Sequence, residues 1–145
     1  MIRLRLATIA DLADVLSRTR ALNRHEGIDV ADAALEAALR TLLADPALGG
    51  VWLVEDEAIV GYAIVTYGYD LEFAGRDAWL TELWIDEATR GRGAATAALA
   101  LLDAELRARG VRALHLQVRP ENPALRLYER ARFERSPRLV LTRRL

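Results

Sequence analysis

Six residues, Arg90-Gly91-Arg92-Gly93-Ala94-Ala95, stand between an apolar run from Trp79 to Ile85 and an Ala/Leu-rich segment of helical periodicity. A strand that turns this abruptly into a helix leaves the first N–H groups of the helix unpaired, at the positive end of its dipole. Such a turn is a built-in anion site. Gly91 and Gly93 carry no side chain to hold an anion off the backbone. Arg90 and Arg92 add charge and fork-shaped donors. The chemistry points to a pyrophosphate. Without a ligand, the same residues are a tight connection with surface arginines. Thr96 stands where a dinucleotide fingerprint needs its third glycine, and no Gly-Lys-Ser/Thr follows, so neither nucleotide motif is complete.

At 145 residues the chain is long enough to bury a real core, and one domain spanning 1–145 is expected. No apolar run approaches a bilayer span, and Arg3 and Arg5 interrupt the only N-terminal leader candidate. The expectation is a cytoplasmic protein with no membrane partner. The chain has no cysteine, which excludes disulfides, thiolate metal sites and a cysteine nucleophile. With only His25 and His115, no metal site is expected either. Net charge is −1, but residues 1–75 hold six arginines and twelve acids, against fourteen and nine in residues 76–145. An anionic ligand suits the second half and a cationic one the first. Scattered arginines without interleaved aromatics do not support nucleic-acid binding.

Periodicity predicts the order β-α-α-β-β-β-α-β-α-β, an α/β (α+β) domain with a mixed, mostly antiparallel central sheet flanked by helices. Ile2, Leu4 and Leu6 alternate as a first strand. Leu12, Val15, Leu16, Thr19 and Leu22 form the stripe of a helix from Asp11 to about His25, ended by Gly27. A second helix runs to Leu43, capped by Asp29 or Asp32. Val51–Val54 and Ile59–Tyr67 make a hairpin across Asp56-Glu57, with Gly61 marking a bulge. A polar loop from Gly68 to Asp77 precedes the strand Ala78–Ile85. The helix after the glycine turn extends from Gly91 or Gly93 to Arg109, with Gly110 at its C-terminal cap. Leu114, Leu116 and Val118 alternate in a strand that Pro120 ends. A short helix from Pro123 to Ala131 follows, and Leu139–Leu141 closes the chain as a strand able to pair with a second copy in a homodimer.

Taken together, these residues resemble the GNAT superfamily of N-acetyltransferases. The family's Arg/Gln-x-x-Gly-x-Gly/Ala motif corresponds to the turn from Arg90 to Ala95, preceded by Leu80-Thr81-Glu82-Leu83-Trp84-Ile85. A second motif, Asn, then Leu-Tyr, then Phe, corresponds to Asn122, Leu127-Tyr128 and Phe133. The order of elements matches along the whole chain. Two positions depart from the pattern. Arg132 stands where glycine usually precedes the Phe, and Asn122 lies six residues before Tyr128 where seven is usual. The first bears on the local turn after the last helix, and the second on Asn122 as a cofactor contact.

The resemblance implies acetyl-CoA as co-substrate, with pyrophosphate on Arg90, Gly91, Arg92, Gly93, Ala94 and Ala95. Arg126 or Arg130 would meet the ribose phosphate. It also implies that the backbone of Leu83, Trp84 and Ile85 pairs with the pantetheine arm, and that Asn122 contacts the cofactor. Tyr128 would protonate the departing thiolate, a phenol of pKa ~10 being matched to a thiol. Its plainer role is a core tyrosine whose hydroxyl reaches water.

Glu82 is an acid in an apolar strand, so it should face a polar cleft. It could take a proton from an incoming amine, or pair with Arg76 or Arg119. Glu26, Asp70 and Glu72 are candidates for recognising a cationic acceptor, while His25 suits a helix C-terminus. The expected function is transfer of acetyl from acetyl-CoA to the primary amine of a small cationic molecule, by direct attack in a ternary complex. The alternatives are acetylation of a protein or peptide, and a non-catalytic acyl-CoA sensor.

Overall fold

The computed structural model describes all 145 residues. Strands β1 (Arg3–Leu6), β2 (Gly49–Asp56), β3 (Ala58–Asp70), β4 (Gly75–Ile85) and β5 (Ala113–His115) form one sheet in sequence order. The first four are antiparallel neighbours, and β5 runs parallel to β4. Helices α1 (Leu12–Glu26) and α2 (Asp32–Ala44) cover one face. Helix α3 (Ala94–Ala108) covers the other, and α4 (Leu125–Arg130) is a short helix near the end of the chain. No helix is long and apolar enough to cross a membrane.

Each helix buries the stripe its periodicity marks. Val15, Leu16, Thr19 and Leu22 of α1 meet Val51, Leu53, Tyr62 and Ile64 of the sheet. Leu99, Leu102 and Leu106 of α3 meet Trp52, Ala63, Val65, Ala78 and Leu80 on the opposite face. Burying one such side chain contributes roughly 1.5–3 kcal/mol. Gly27 ends α1 in the left-handed conformation, with its N–H on Asn23.

Two irregularities aim the residues of β4. The β3–β4 register shifts so that Ile64 faces Glu82 while Val65 faces Leu80, leaving Thr81 as the extra residue of a bulge. Leu80 and Leu83 therefore both pack toward α3, while Trp79, Glu82 and Trp84 turn toward α1. The β2–β3 register also slips, between Val54 and Glu55, next to Gly61. There the backbones of β3 and β4 come so close that a Cβ on Gly61 would lie 2.2 Å from the Trp84 carbonyl oxygen.

Several expectations need correction. Neither Asp29 nor Asp32 caps α2: Ala31 is the N-cap and Asp32 is the first helical residue. The polar loop from Gly68 to Asp77 is mostly strand, closed by a single 3-10 turn at Leu71–Phe73. The strand expected through Val118 pairs only as far as His115, because the chain beyond diverges from β4. Helix α4 is shorter than Pro123–Ala131. Leu139–Leu141 forms no strand: it follows Pro137, no neighbour pairs with it, and Leu139 and Leu141 are almost fully exposed.

The turn after α4 keeps the geometry that glycine would supply. Arg132 adopts φ 69°, its N–H bonds to Glu129 O, and Phe133 N–H bonds to Tyr128 O at 3.0 Å. This is a Schellman ending with a side chain in the left-handed position. Its apolar contact is Tyr128 against Phe133, edge to face at 5.8 Å. The turn thus braces the ring of Tyr128, at a conformational cost carried by Arg132.

Replacing Arg132 with Gly should stabilise the protein by about 1 kcal/mol, the relieved strain less the extra freedom of the unfolded chain. Chemical denaturation measures this, and a loss of stability would show that the arginine side chain makes a compensating contact. Gly61→Ala should cost about 1–3 kcal/mol in the same measurement, because β3 and β4 must separate to admit the methyl group. Unchanged stability would mean that the two strands can part freely.

Candidate active site

The turn between β4 and α3 rests on a network anchored at Asp86. Arg18 of α1 grips that carboxylate with Nε at 3.0 Å and Nη2 at 2.8 Å, and Nη2 also reaches the Ile59 carbonyl at 3.0 Å. Trp84 Nε1 donates to Asp86 at 3.2 Å, and Thr89 Oγ1 donates to its carbonyl at 2.9 Å. Arg90 donates through Nε to the Ile85 carbonyl at 2.8 Å and lies over the Trp84 ring at 4.5 Å. The guanidinium of Arg90 is thus partly committed to holding the turn. Arg92 is exposed.

Gly91 and Gly93 take φ values of +78° and +80°, a region that L side chains resist. Nothing of the protein lies within 4 Å of where their Cβ atoms would be, so the turn's outer surface is open. No side chain caps α3. The N–H groups of Gly91, Arg92, Gly93, Ala94, Ala95 and Thr96 find no backbone acceptor. Six consecutive free donors at a helix N-terminus suit a multiply charged anion.

From this turn back along β4, the sheet splits. Only Asp77–Trp79 pair with β5, so Leu80–Ile85 have β3 on one side and no strand on the other. A cleft of about 740 Å³ occupies the gap. Its floor is Trp79–Leu83, one wall is Leu116–Pro120 with Asn122 and Tyr128, and the opposite wall is Leu22, Glu26 and Ile28. A smaller depression of about 470 Å³ beside Arg18, Trp84 and Asp86 contains neither Glu82 nor Tyr128.

Glu82 faces the cleft, and its partner is neither Arg76 nor Arg119 but the Tyr62 hydroxyl, which donates to Oε1 at 2.8 Å. Burial raises the Glu82 carboxyl above its ordinary value, against the lowering effect of that bond. Burial, then the Glu82 charge, pushes the Tyr62 phenol up, so it stays a donor. Arg76 instead lies over Tyr67 at 4.7 Å. Tyr128 reaches the cleft from α4, and burial followed by the charge of Glu26 raises its phenol.

The structure therefore brings Glu82, Leu83, Tyr128, Asn122 and Glu26 to one cleft. Trp84 and Ile85 continue its strand into the turn. The Ile85 side chain is buried, and the His25 ring meets Trp84 edge-on at 6.0 Å. Asn122 Oδ1 accepts from Ala124 N–H at 2.9 Å, a local turn that opens α4. Arg126 and Arg130 are exposed on α4. Asp70 and Glu72 do not join the cleft. Asp70 caps the turn at Leu71–Phe73 by accepting from Glu72 N–H, and Glu72 pairs with Arg138 at 2.6 Å.

Sequence reasoning missed Tyr62 and the Arg18–Asp86 pair. Tyr62 shares the alternation of Ile64 on β3, and Arg18 lies beside an apolar stripe. Both signals are visible in the chain, but their partners are 20 and 68 residues away.

A family model described as the acetyltransferase (GNAT) family matches residues 15–133. No curated protein matches the chain by sequence. Among solved structures, an integron cassette protein from the mobile metagenome of Cole Harbour Salt Marsh is 29% identical, with a TM-score of 0.86 over 98% of this chain and 90% of that one. A predicted acetyltransferase from Clostridium acetobutylicum, solved with acetyl-CoA, is 21% identical, with a TM-score of 0.81 over 99% and 96%. An aminoglycoside N-acetyltransferase in complex with coenzyme A is 17% identical, with a TM-score of 0.82 over 99% and 95%. The family match covers most of the chain, and these folds agree with it from end to end: the protein belongs to the acetyltransferase (GNAT) family.

Proposed function

We propose that this protein transfers the acetyl group of acetyl-CoA to the primary amine of a small cationic molecule, in a ternary complex. One observation carries the reading. Six unpaired N–H groups at a helix start adjoin a strand with a free edge, and that strand leads into a cleft holding Glu82 and Tyr128. The turn from Arg90 to Ala95 would hold the pyrophosphate, and the free edge of Leu83–Ile85 would pair with the pantetheine arm. Exposed Arg126 and Arg130 are suited to the ribose phosphate.

The neutral amine nitrogen attacks the thioester carbonyl carbon. The N–C bond forms and the C–S bond breaks. A backbone N–H near Leu83 or Trp84 receives the charge developing on the carbonyl oxygen. The proton lost by nitrogen passes to the free oxygen of Glu82, directly or through water, while Tyr128 gives its phenolic proton to the thiolate. Exchange with solvent then restores both groups. The raised Glu82 carboxyl makes a stronger base than an ordinary glutamate. The raised Tyr128 phenol stays protonated until the leaving group needs it. Holding amine and thioester together in one cleft supplies the rest of the rate.

Free-thiol release from acetyl-CoA with a panel of small amines and short peptides tests the reading. Release with small amines supports it. Release with peptides alone would assign a protein acetyltransferase, and acetyl-CoA binding without release would assign a sensor. Tyr128→Phe should lower kcat by about 100-fold or more while acetyl-CoA affinity holds. Unchanged turnover would remove Tyr128 from the mechanism.

The pH profile of kcat/KM should fall on the acid side as Glu82 takes up a proton, with a midpoint above the ordinary glutamate value of ~4.3. Glu82→Gln should remove that limb and leave the titration of the acceptor amine itself, near the ordinary alkylammonium value of ~10.4; a limb surviving in the carboxylate range would place the base elsewhere. The same variant should be more stable than wild type above the ordinary glutamate pKa. A raised native pKa means that the native state holds its proton longer than the unfolded chain, so wild-type stability falls as pH rises through that window. Thermal unfolding at several pH values reads this directly.

A further inference from the structure

Tyr62 carries a hydroxyl into the core between α1 and the sheet, where its side chain is wholly buried among Val15, Leu22, Leu53 and Ile64. A buried phenol needs a hydrogen-bond partner. Here the partner is Glu82, at 2.8 Å. The two residues are not directly opposite: Tyr62 faces Trp84 in the register of β3 and β4, and Glu82 faces Ile64. Their bond is therefore diagonal, across the face that α1 covers. It forms because the bulge at Thr81 brings Glu82 to that face. Thr19 of α1 is also within reach of the phenol, but its one proton goes to the Val15 carbonyl at 2.9 Å.

For the Glu82 carboxylate this is the one hydrogen bond that the protein supplies. Glu26 from α1, Arg119 from the segment after β5 and Tyr128 from α4 share the cleft with it, and none of them bonds to it. His25, also on α1, meets Trp84 instead. An arginine in place of Tyr62 would hold the carboxylate by charge and weaken it as a base. A neutral phenol fixes one oxygen and leaves the other free. Set in a close-packed core, its ring has no room to turn away.

We infer that Tyr62 is a positioning residue: it holds Oε1 of Glu82 from within the core and so presents Oε2 to the incoming amine. This inference rests on the acetyltransferase reading and adds to it a residue that, wholly buried, touches neither substrate. The bond favours the ionised carboxylate, so it also limits how far burial raises that group.

Tyr62→Phe keeps the ring and removes the donor. Without the donor the Glu82 carboxyl should rise further. The acid limb of kcat/KM for a small amine should then move up by about one pH unit, as loss of a hydrogen bond to a charged group implies. KM for acetyl-CoA should hold, and in Glu82→Gln the same substitution should leave the pH profile where it was. Carbon-13 NMR of the Glu82 carboxyl, assigned from the spectrum of Glu82→Gln, should show the same upward shift in the protein without ligands. A midpoint that stays put in folded Tyr62→Phe overturns the inference and leaves the acetyltransferase reading standing. So does a midpoint that moves while the acid limb does not, or a shift of the profile that survives in Glu82→Gln. Thiol release from acetyl-CoA with none of the amines or peptides, despite a folded protein, overturns both. Should Tyr62→Phe fail to fold, the Tyr62 Cζ resonance of the wild type decides: it should titrate with the midpoint of the acid limb, and a flat resonance overturns the inference.

Discussion

Beyond Trp79 the sheet stops satisfying its own backbone. Antiparallel pairing with β3 continues to Ile85, but the outer edge of β4 loses its partner after three residues. Unpaired donors continue around the glycine turn into the first residues of α3. At the exposed turn these donors are left to water until a ligand replaces it. Such a gap persists because the surrounding structure holds it open. Everything assigned to the site depends on that gap.

Three features hold the gap open. Close approach of β3 at Gly61 fixes the inner side of β4, so this strand cannot drift toward β5. The bulge at Thr81 changes which residues face α1, bringing Glu82 to the same side as Trp79. The Arg18–Asp86 clamp ties the root of the turn to α1 and, through Ile59, to β3. Since Arg18 is mostly buried, the pair is screened less than a surface ion pair, and breaking it would leave a charge uncompensated. The Schellman turn at Arg132 does the equivalent for Tyr128, fixing its ring against Phe133 before any ligand arrives. The cleft is therefore fixed in advance on rigid elements, and the proposed function places the reactants in the opening between its two walls.

Much of this was legible in the chain because it is local. Helical stripes, the hairpin at Asp56-Glu57 and the strand–glycine–helix turn are patterns within a dozen residues, and each forms near its expected position. Glu82 facing a cleft followed from the cost of burying a carboxylate in an apolar strand. Pairing was not legible. Leu116 and Val118 alternate like a strand, yet whether an alternating segment pairs depends on the distance to a neighbour that sequence does not contain. For the same reason Leu139–Leu141 looked like a strand and is an exposed tail. Asp70 and Glu72 looked like free loop acids, but the loop is a tight turn that consumes one, and Arg138 takes the other. The contacts of Tyr62 with Glu82 and of Asp77 with His115 join residues far apart in the chain. Arg132 breaks a glycine preference while keeping the backbone angle that explains it.

Isothermal titration calorimetry with acetyl-CoA tests the central claim most directly, because it reads the free backbone donors without needing the acceptor. A saturable heat at one site per chain, weakened by salt as expected for a phosphate held on N–H groups and arginines, is the predicted result. No heat from a folded protein across the accessible concentration range would contradict the account. The open edge of β4 and the glycine turn would then need another explanation.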